Sequence, residues 1–156
     1  MEFHNIDPVF NEHSKILILG SFPSVKSREQ KFFYGHPQNR FWKVIATITK
    51  ECIPNSIEEK KELLLKHNIA VWDVIKCCDI VGSSDSSIEN VRINDFNIIF
   101  NNANIRKIYA NGDKAYSLFK KYYSKDIKII KLPSTSPANA QYSFDKLVEM
   151  WKVILK

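Results

Sequence analysis

Four short apolar runs constrain this chain more than any other feature: KILILG (15–20), IAVWDVI (69–75), RKIYAN (106–111) and IKIIKL (127–132). KILILG stands between Ser14 and Ser21 and is apolar without alternation, the pattern of a strand covered on both faces. Helical spacing fills the intervals. Phe41, Trp42, Val44, Ile45 and Ile48 share a face over residues 40–50, and Ser56 and Glu59 open a second helix at capping-box spacing. That helix runs through Leu63, Leu64 and Leu65 and stops near Asn68. Ile93, Phe96, Ile99 and Phe100 predict a helix over 93–101, Ala115, Leu118 and Phe119 the next, and Phe144, Leu147, Val148, Trp151 and Ile154 the last. SFPSVKSREQ and the Ser-rich VGSSDSSIEN (81–90) read as loops. Strands alternating with helices predict an α/β fold, a three-layer α/β/α sandwich with a central four-stranded parallel sheet. No repeat or long linker interrupts residues 1–156, so one domain is expected. Ligands of such sheets bind beyond the carboxyl ends of the strands, where GSFPS, the aromatic stretch after it and LPSTSPAN all fall.

Charge and cysteine usage narrow the class. Twenty-three Lys and Arg against 17 Asp and Glu leave +6, which suits a polyanionic partner, although only Arg28, Arg40, Arg92 and Arg106 are arginines. No apolar run approaches the ~18 residues of a membrane span. The opening MEFHNIDPVFNEHSK lacks the basic and apolar regions of a signal peptide. Cys52, Cys77 and Cys78 are odd in number and without C-x-x-C spacing, so a cytoplasmic protein with free thiols is expected. Neither a phosphate-binding glycine fingerprint, a G-x-S-x-G elbow nor an H-E-x-x-H metal motif occurs, and no metal is expected.

The stretch FFYGHPQNRFW (32–42) is the most unusual. Its five aromatic rings surround a turn that suits neither a regular helix nor a strand. Asn39 reads either as a cap for the helix that follows or as a carboxamide offered to a planar ligand inside an aromatic pocket. His36 reads either as a structural hydrogen bonder or as a site residue. LPSTSPAN (132–139) is either a plain connection satisfied by its own hydroxyls or a rigid, low loop able to enter a minor groove.

In chain order GSFPS, FFYGHPQNRFW, WDVIKCCDIVGSSDSSI, ANGDKA and STSPAN resemble the uracil-DNA glycosylase superfamily, and more closely its hypoxanthine-DNA glycosylase branch. The resemblance runs from residue 15 to about residue 155, with GHPQNRFW its most specific piece. It implies a monofunctional, cofactor-free, monomeric enzyme that flips a deaminated base out of double-stranded DNA. Phe22 stands where many relatives carry a water-activating Asp or Asn, and Ser134 stands where many carry a His. The resemblance therefore implies Asn39 as the catalytic residue, through a carbonyl that orients water and an amide that donates to substrate. It leaves His36 as a second candidate near the departing base. Phe22, Tyr34 and Phe41 are the implied stacking walls, with backbone groups reading the base edge. Ser134, Thr135 and Ser136 are expected on DNA phosphates, and Asn139 beside the space the base vacates. A mismatch-type enzyme acting on uracil, thymine or xanthine, and a non-catalytic nucleic-acid-binding relative, are the alternatives.

Overall fold

The computed structural model describes residues 1–156. In chain order its elements are β1 (Glu2–Phe3), β2 (Ile16–Gly20), α1 (Val25–Gln30), α2 (Phe41–Thr49), α3 (Ile57–Lys66), β3 (Ile69–Asp73), β4 (Ile75–Asp79), β5 (Glu89–Ile93), α4 (Asn97–Phe100), β6 (Lys107–Asn111), α5 (Asp113–Tyr122), β7 (Ile129–Leu132) and α6 (Phe144–Trp151). The central sheet is parallel throughout, in the order β3-β2-β6-β7, and helices flank it. Leu17, Ile18 and Leu19 of β2 are completely buried, as a strand covered on both faces must be. Phe41 of α2 meets Trp151 of α6 edge-on, and Phe96, Phe119 and Tyr123 pack on one another elsewhere in the same core, joined to it through Trp72. No helix is long and apolar enough to cross a membrane.

The α3 cap forms as its spacing predicts. Glu59 N–H donates to Ser56 Oγ at 3.0 Å, and Glu59 Oε2 in turn accepts from the Asn55 N–H at 3.1 Å.

Four sequence expectations need correction, one being that VGSSDSSIEN (81–90) is a loop throughout, since Asp85–Ser87 form a 3-10 turn and Glu89 and Asn90 open β5. IAVWDVI is not one strand, because the central sheet keeps only Ile69–Asp73 and the chain turns at Val74 into β4. There β4 pairs antiparallel with β1 and β5 in a second, three-stranded sheet. Val74 and Ile75 are both wholly buried, so hydrophobicity continues through a change of direction it cannot report. Residues 93–101 are not one helix either. Ile93 closes β5 and only Asn97–Phe100 is helical, although Phe96 and Ile99 are buried as that face required. Finally, SFPSVKSREQ contains α1, opened by a Ser27 N–H that donates to Ser24 Oγ. Its single buried residue is Ser27, so no apolar stripe marks it.

Candidate active site

The carboxyl ends of the parallel strands deliver four groups to one place: Gly20 from β2, Asp73 from β3, Asn111 from β6, and the Ser134–Ser136 loop after β7. GSFPS and the aromatic stretch close over them, leaving a cleft of about 100 Å³ lined also by Phe22, Tyr34, Asn39 and Asp85. That volume exceeds several-fold what one ordered water requires, and most of the lining residues are polar.

Asn39 is held from two sides. Its Oδ1 accepts the Phe41 N–H at 2.9 Å, which opens α2, and also the Thr135 hydroxyl at 2.9 Å. The Phe41 amide decides which end of the carboxamide is oxygen, because a backbone N–H can only donate. Thr135 is fixed in turn by Asn111, whose Nδ2 donates to the Thr135 hydroxyl while its Oδ1 accepts the Thr135 N–H, both at 3.0 Å. With both carbonyl lone pairs engaged, Asn39 offers the cleft its NH₂ group. The helix cap and the ligand-facing amide are thus two halves of one side chain.

Arg40 locks the loops together. Its guanidinium donates to the carbonyls of Ser136 at 2.9 Å and Asn139 at 3.0 Å, and also to that of Tyr142. Its own N–H reaches the Thr135 carbonyl at 3.1 Å. A fork of fixed donors suits this task better than a single ammonium would.

The floor is formed by Tyr34 and Asp73. Tyr34 adopts φ 52°, an unusual left-handed conformation for an aromatic residue, and its ring stacks on Phe41 with centroids 4.1 Å apart. This places the phenol against Gly20, 3.0 Å from where a Cβ would stand, with Asp73 Oδ1 nearer still. Only glycine fits there. The phenol has no hydrogen-bond partner, and burial, reinforced by the Asp73 charge, drives its pKa far above the usual tyrosine range. Asn111, whose Nδ2 keeps a second N–H besides the one given to Thr135, lies near enough to offset part of this rise. Tyr34 therefore remains a proton donor. Asp73, 3% exposed, accepts from His4 Nε2 at 2.8 Å through Oδ2. His4 Nδ1 accepts the Ile6 N–H, which fixes the tautomer that donates to Asp73.

At the mouth, Phe22 is nearly buried and carries the Arg28 guanidinium 5.4 Å from its ring centre. Ser21 Oγ donates to Asp85 Oδ1 at 2.9 Å. Asp85 is exposed as a whole, yet its carboxylate faces the cleft, and desolvation there raises its pKa despite the Ser21 hydrogen bond and nearby Lys114.

The profile of the uracil DNA glycosylase superfamily matches residues 8–155. The chain belongs to that superfamily. A hypoxanthine DNA glycosylase from Methanosarcina acetivorans is 37% identical over 152 residues, covering 95% of this chain and 94% of that protein. Another from Methanosarcina barkeri is 34% identical over 117 residues, 74% of each. A solution NMR structure of a Methanosarcina acetivorans protein assigned to the uracil DNA glycosylases aligns with a TM-score of 0.79 at 31% identity, over 97% of both chains.

Within this superfamily frame, the cleft brings together Phe22, Tyr34, Asn39, Ser134, Thr135 and Ser136 of the residues expected from sequence. Three others lie outside its lining. Phe41 is completely buried behind Tyr34, so it supports a wall without being one. His36 Nδ1 accepts the Gln38 N–H in its own turn, and Asn139 Nδ2 donates to the Ser134 carbonyl at 3.0 Å. Thr135 also changes role, since it is fully buried with its hydroxyl spent on Asn39 and cannot reach a phosphate. Ser134 and Ser136 accept the N–H groups of Ser136 and Ala138, which leaves their O–H bonds free to donate. Sequence reasoning missed His4, Asp73, Asp85 and Asn111. Asp73, a carboxylate inside the apolar run IAVWDVI, carried a usable signal, whereas His4 carried none.

Proposed function

We propose that the chain is a monofunctional DNA glycosylase of base excision repair that hydrolyses the N-glycosidic bond of deoxyinosine, releasing hypoxanthine and leaving an abasic site. The observation that carries this reading is the pair on the cleft floor, an unpartnered Tyr34 hydroxyl beside the buried Asp73 carboxylate. Hypoxanthine presents a 6-oxo acceptor next to an N1–H donor, so Tyr34 donates to the oxygen and Asp73 accepts the N–H. Adenine reverses both groups: the Tyr34 hydroxyl can turn to accept from its amine, but the Asp73 carboxylate would face the N1 lone pair unpaired, at a cost of about 1–3 kcal/mol. Side chains, rather than backbone groups, thus supply the selectivity. His4 N–H offsets part of the Asp73 charge, so the acceptor repels the electron-rich departing base less than a bare anion would.

The base must first leave the duplex, at a cost of a few kcal/mol that a weak inosine pair lowers. Phe22 supplies the apolar wall, and a base–aromatic stack contributes about 1–3 kcal/mol. As the glycosidic bond breaks, Asn39 Nδ2 and Tyr34 Oη are fixed donors for the electron density arriving on the base. Ser134 and Ser136 meet phosphates of double-stranded DNA, and the net charge of +6 adds salt-dependent grip. The enzyme acts as a monomer in the cytoplasm, where the unpaired Cys52, Cys77 and Cys78 stay reduced.

The same floor also satisfies the oxo and N–H edges of uracil and xanthine, which gives the second reading a specific basis. Duplexes containing deoxyinosine, deoxyuridine, deoxyxanthosine or only normal bases separate the two when alkali-labile abasic sites are scored. Strongest release from deoxyinosine is the expected result. Faster release of uracil would assign the chain to the mismatch type, and no release from any duplex would reject glycosylase activity.

A further inference from the structure

Hydrolysis needs an acceptor for a proton of the attacking water, and most acceptors in the cleft are already committed. Asn39 Oδ1 receives Phe41 and Thr135, Asn111 Oδ1 receives Thr135, and Asp73 gives Oδ2 to His4 and, on the glycosylase reading, its other oxygen to the N–H of the base. His36 lies outside the lining. Asp85 is different. Ser21 fixes its Oδ1, and Oδ2 has no protein partner. Asp85 also lines the adjoining groove of about 580 Å³, together with Lys114, Lys131 and Ser136, and so stands on the divide between the two depressions. On the glycosylase reading, a strand lying in the groove with its base in the cleft would carry its deoxyribose across that divide.

We propose that Asp85 activates the hydrolytic water. This rests on the glycosylase reading and adds the group that reading lacks. Asp85 Oδ2 takes one proton from water, the water oxygen bonds C1′, and the C1′–N9 electron pair leaves with the base. The base gains a proton from solvent, and Asp85 returns its own to solvent. Water is the only co-reactant consumed. Charged groups around the carboxylate are Lys114 from α5 and Asp73 from β3, with the Asp113–Lys131 ion pair along the groove and Arg28 bonded to the Gly82 carbonyl behind the loop. The phenol of Tyr34 stays protonated nearby. Desolvation at the cleft raises the Asp85 pKa above that of an ordinary aspartate.

The test is single-turnover release from a deoxyinosine duplex against pH, for wild type, Asp85→Asn, Asp85→Glu and Ser21→Ala, with DNA affinity measured in parallel. Wild type should slow as pH falls through a carboxyl pKa above that of ordinary aspartate. Asp85→Asn should lose about 10²–10⁴-fold in rate, together with the acid limb, at unchanged affinity. Asp85→Glu should retain the limb, and so should Ser21→Ala, which removes only the orienting hydroxyl. An Asp85→Asn enzyme within a few fold of wild type, or one that keeps the limb, overturns the proposal. Equal loss without change of pH profile in Asp85→Asn and Ser21→Ala would assign Asp85 a purely structural part. A wild type that releases no base defeats the glycosylase reading itself and is distinguished by that silence.

Discussion

The Thr135 hydroxyl donates to Asn39 Oδ1 at 2.9 Å across 96 positions of sequence, joining the aromatic turn to the loop after β7. Together with the Phe41 N–H it fixes the carboxamide so that only its NH₂ faces the cleft. Thr135→Val keeps the shape but removes this donor and strands Asn111 Nδ2. Chemical denaturation should show a loss of about 1–3 kcal/mol, and hypoxanthine release should fall with it. Thr135→Ser should restore both; a valine variant with full stability and rate would separate Thr135 from the site.

Tyr34→Phe should move stability and activity in opposite directions. Its hydroxyl is buried without a partner, so deleting it removes an unpaid desolvation cost of about 1–3 kcal/mol and should raise the thermal midpoint. The same deletion takes away the donor for the 6-oxo group. Release from deoxyinosine should drop, and a variant that is both less stable and fully active would contradict the floor geometry.

Arg40 ties the Ser136, Asn139 and Tyr142 carbonyls to the start of α2. Arg40→Lys cannot reproduce three divergent hydrogen bonds, so lysine should rescue little of what alanine loses. Amide hydrogen exchange at residues 134–142 should accelerate in both variants. Unchanged protection there would mean that the loop holds its shape without the clamp.

The legible parts of the molecule were those written in local pattern. KILILG became β2 because continuous burial leaves a continuous apolar run, and RKIYAN and IKIIKL became β6 and β7 because their buried positions, Ile108–Ala110 and Ile129 with Leu132, are apolar. The antiparallel sheet was hidden, since β1 is two exposed residues and β4 begins inside the apolar run of β3. The site divides the same way. GHPQN and STSPAN announce irregular loops through their Pro, Asn and Ser content, but nothing local tells Asn39 to meet Thr135, or His4 to meet Asp73 across 69 positions. Even Thr135 and Ser136, adjacent in sequence, differ in that the first is sealed inside and the second lines the groove as well as the cleft.

Asn39 offers the most direct test of the catalytic centre. Hypoxanthine release from a deoxyinosine duplex would be followed under single turnover for wild type, Asn39→Ala and Asn39→Asp, with duplex affinity measured alongside. Loss of a positioned donor is worth about 2.7–4 kcal/mol, so both variants should slow by about 10²–10³-fold while binding DNA nearly as well as wild type. Aspartate accepts from Phe41 and Thr135 as asparagine does, yet cannot donate to the base, so it should fail with alanine. An Asn39→Asp enzyme that releases hypoxanthine at the wild-type rate would contradict the amide's role, and wild-type rates in Asn39→Ala would remove Asn39 from the chemistry altogether.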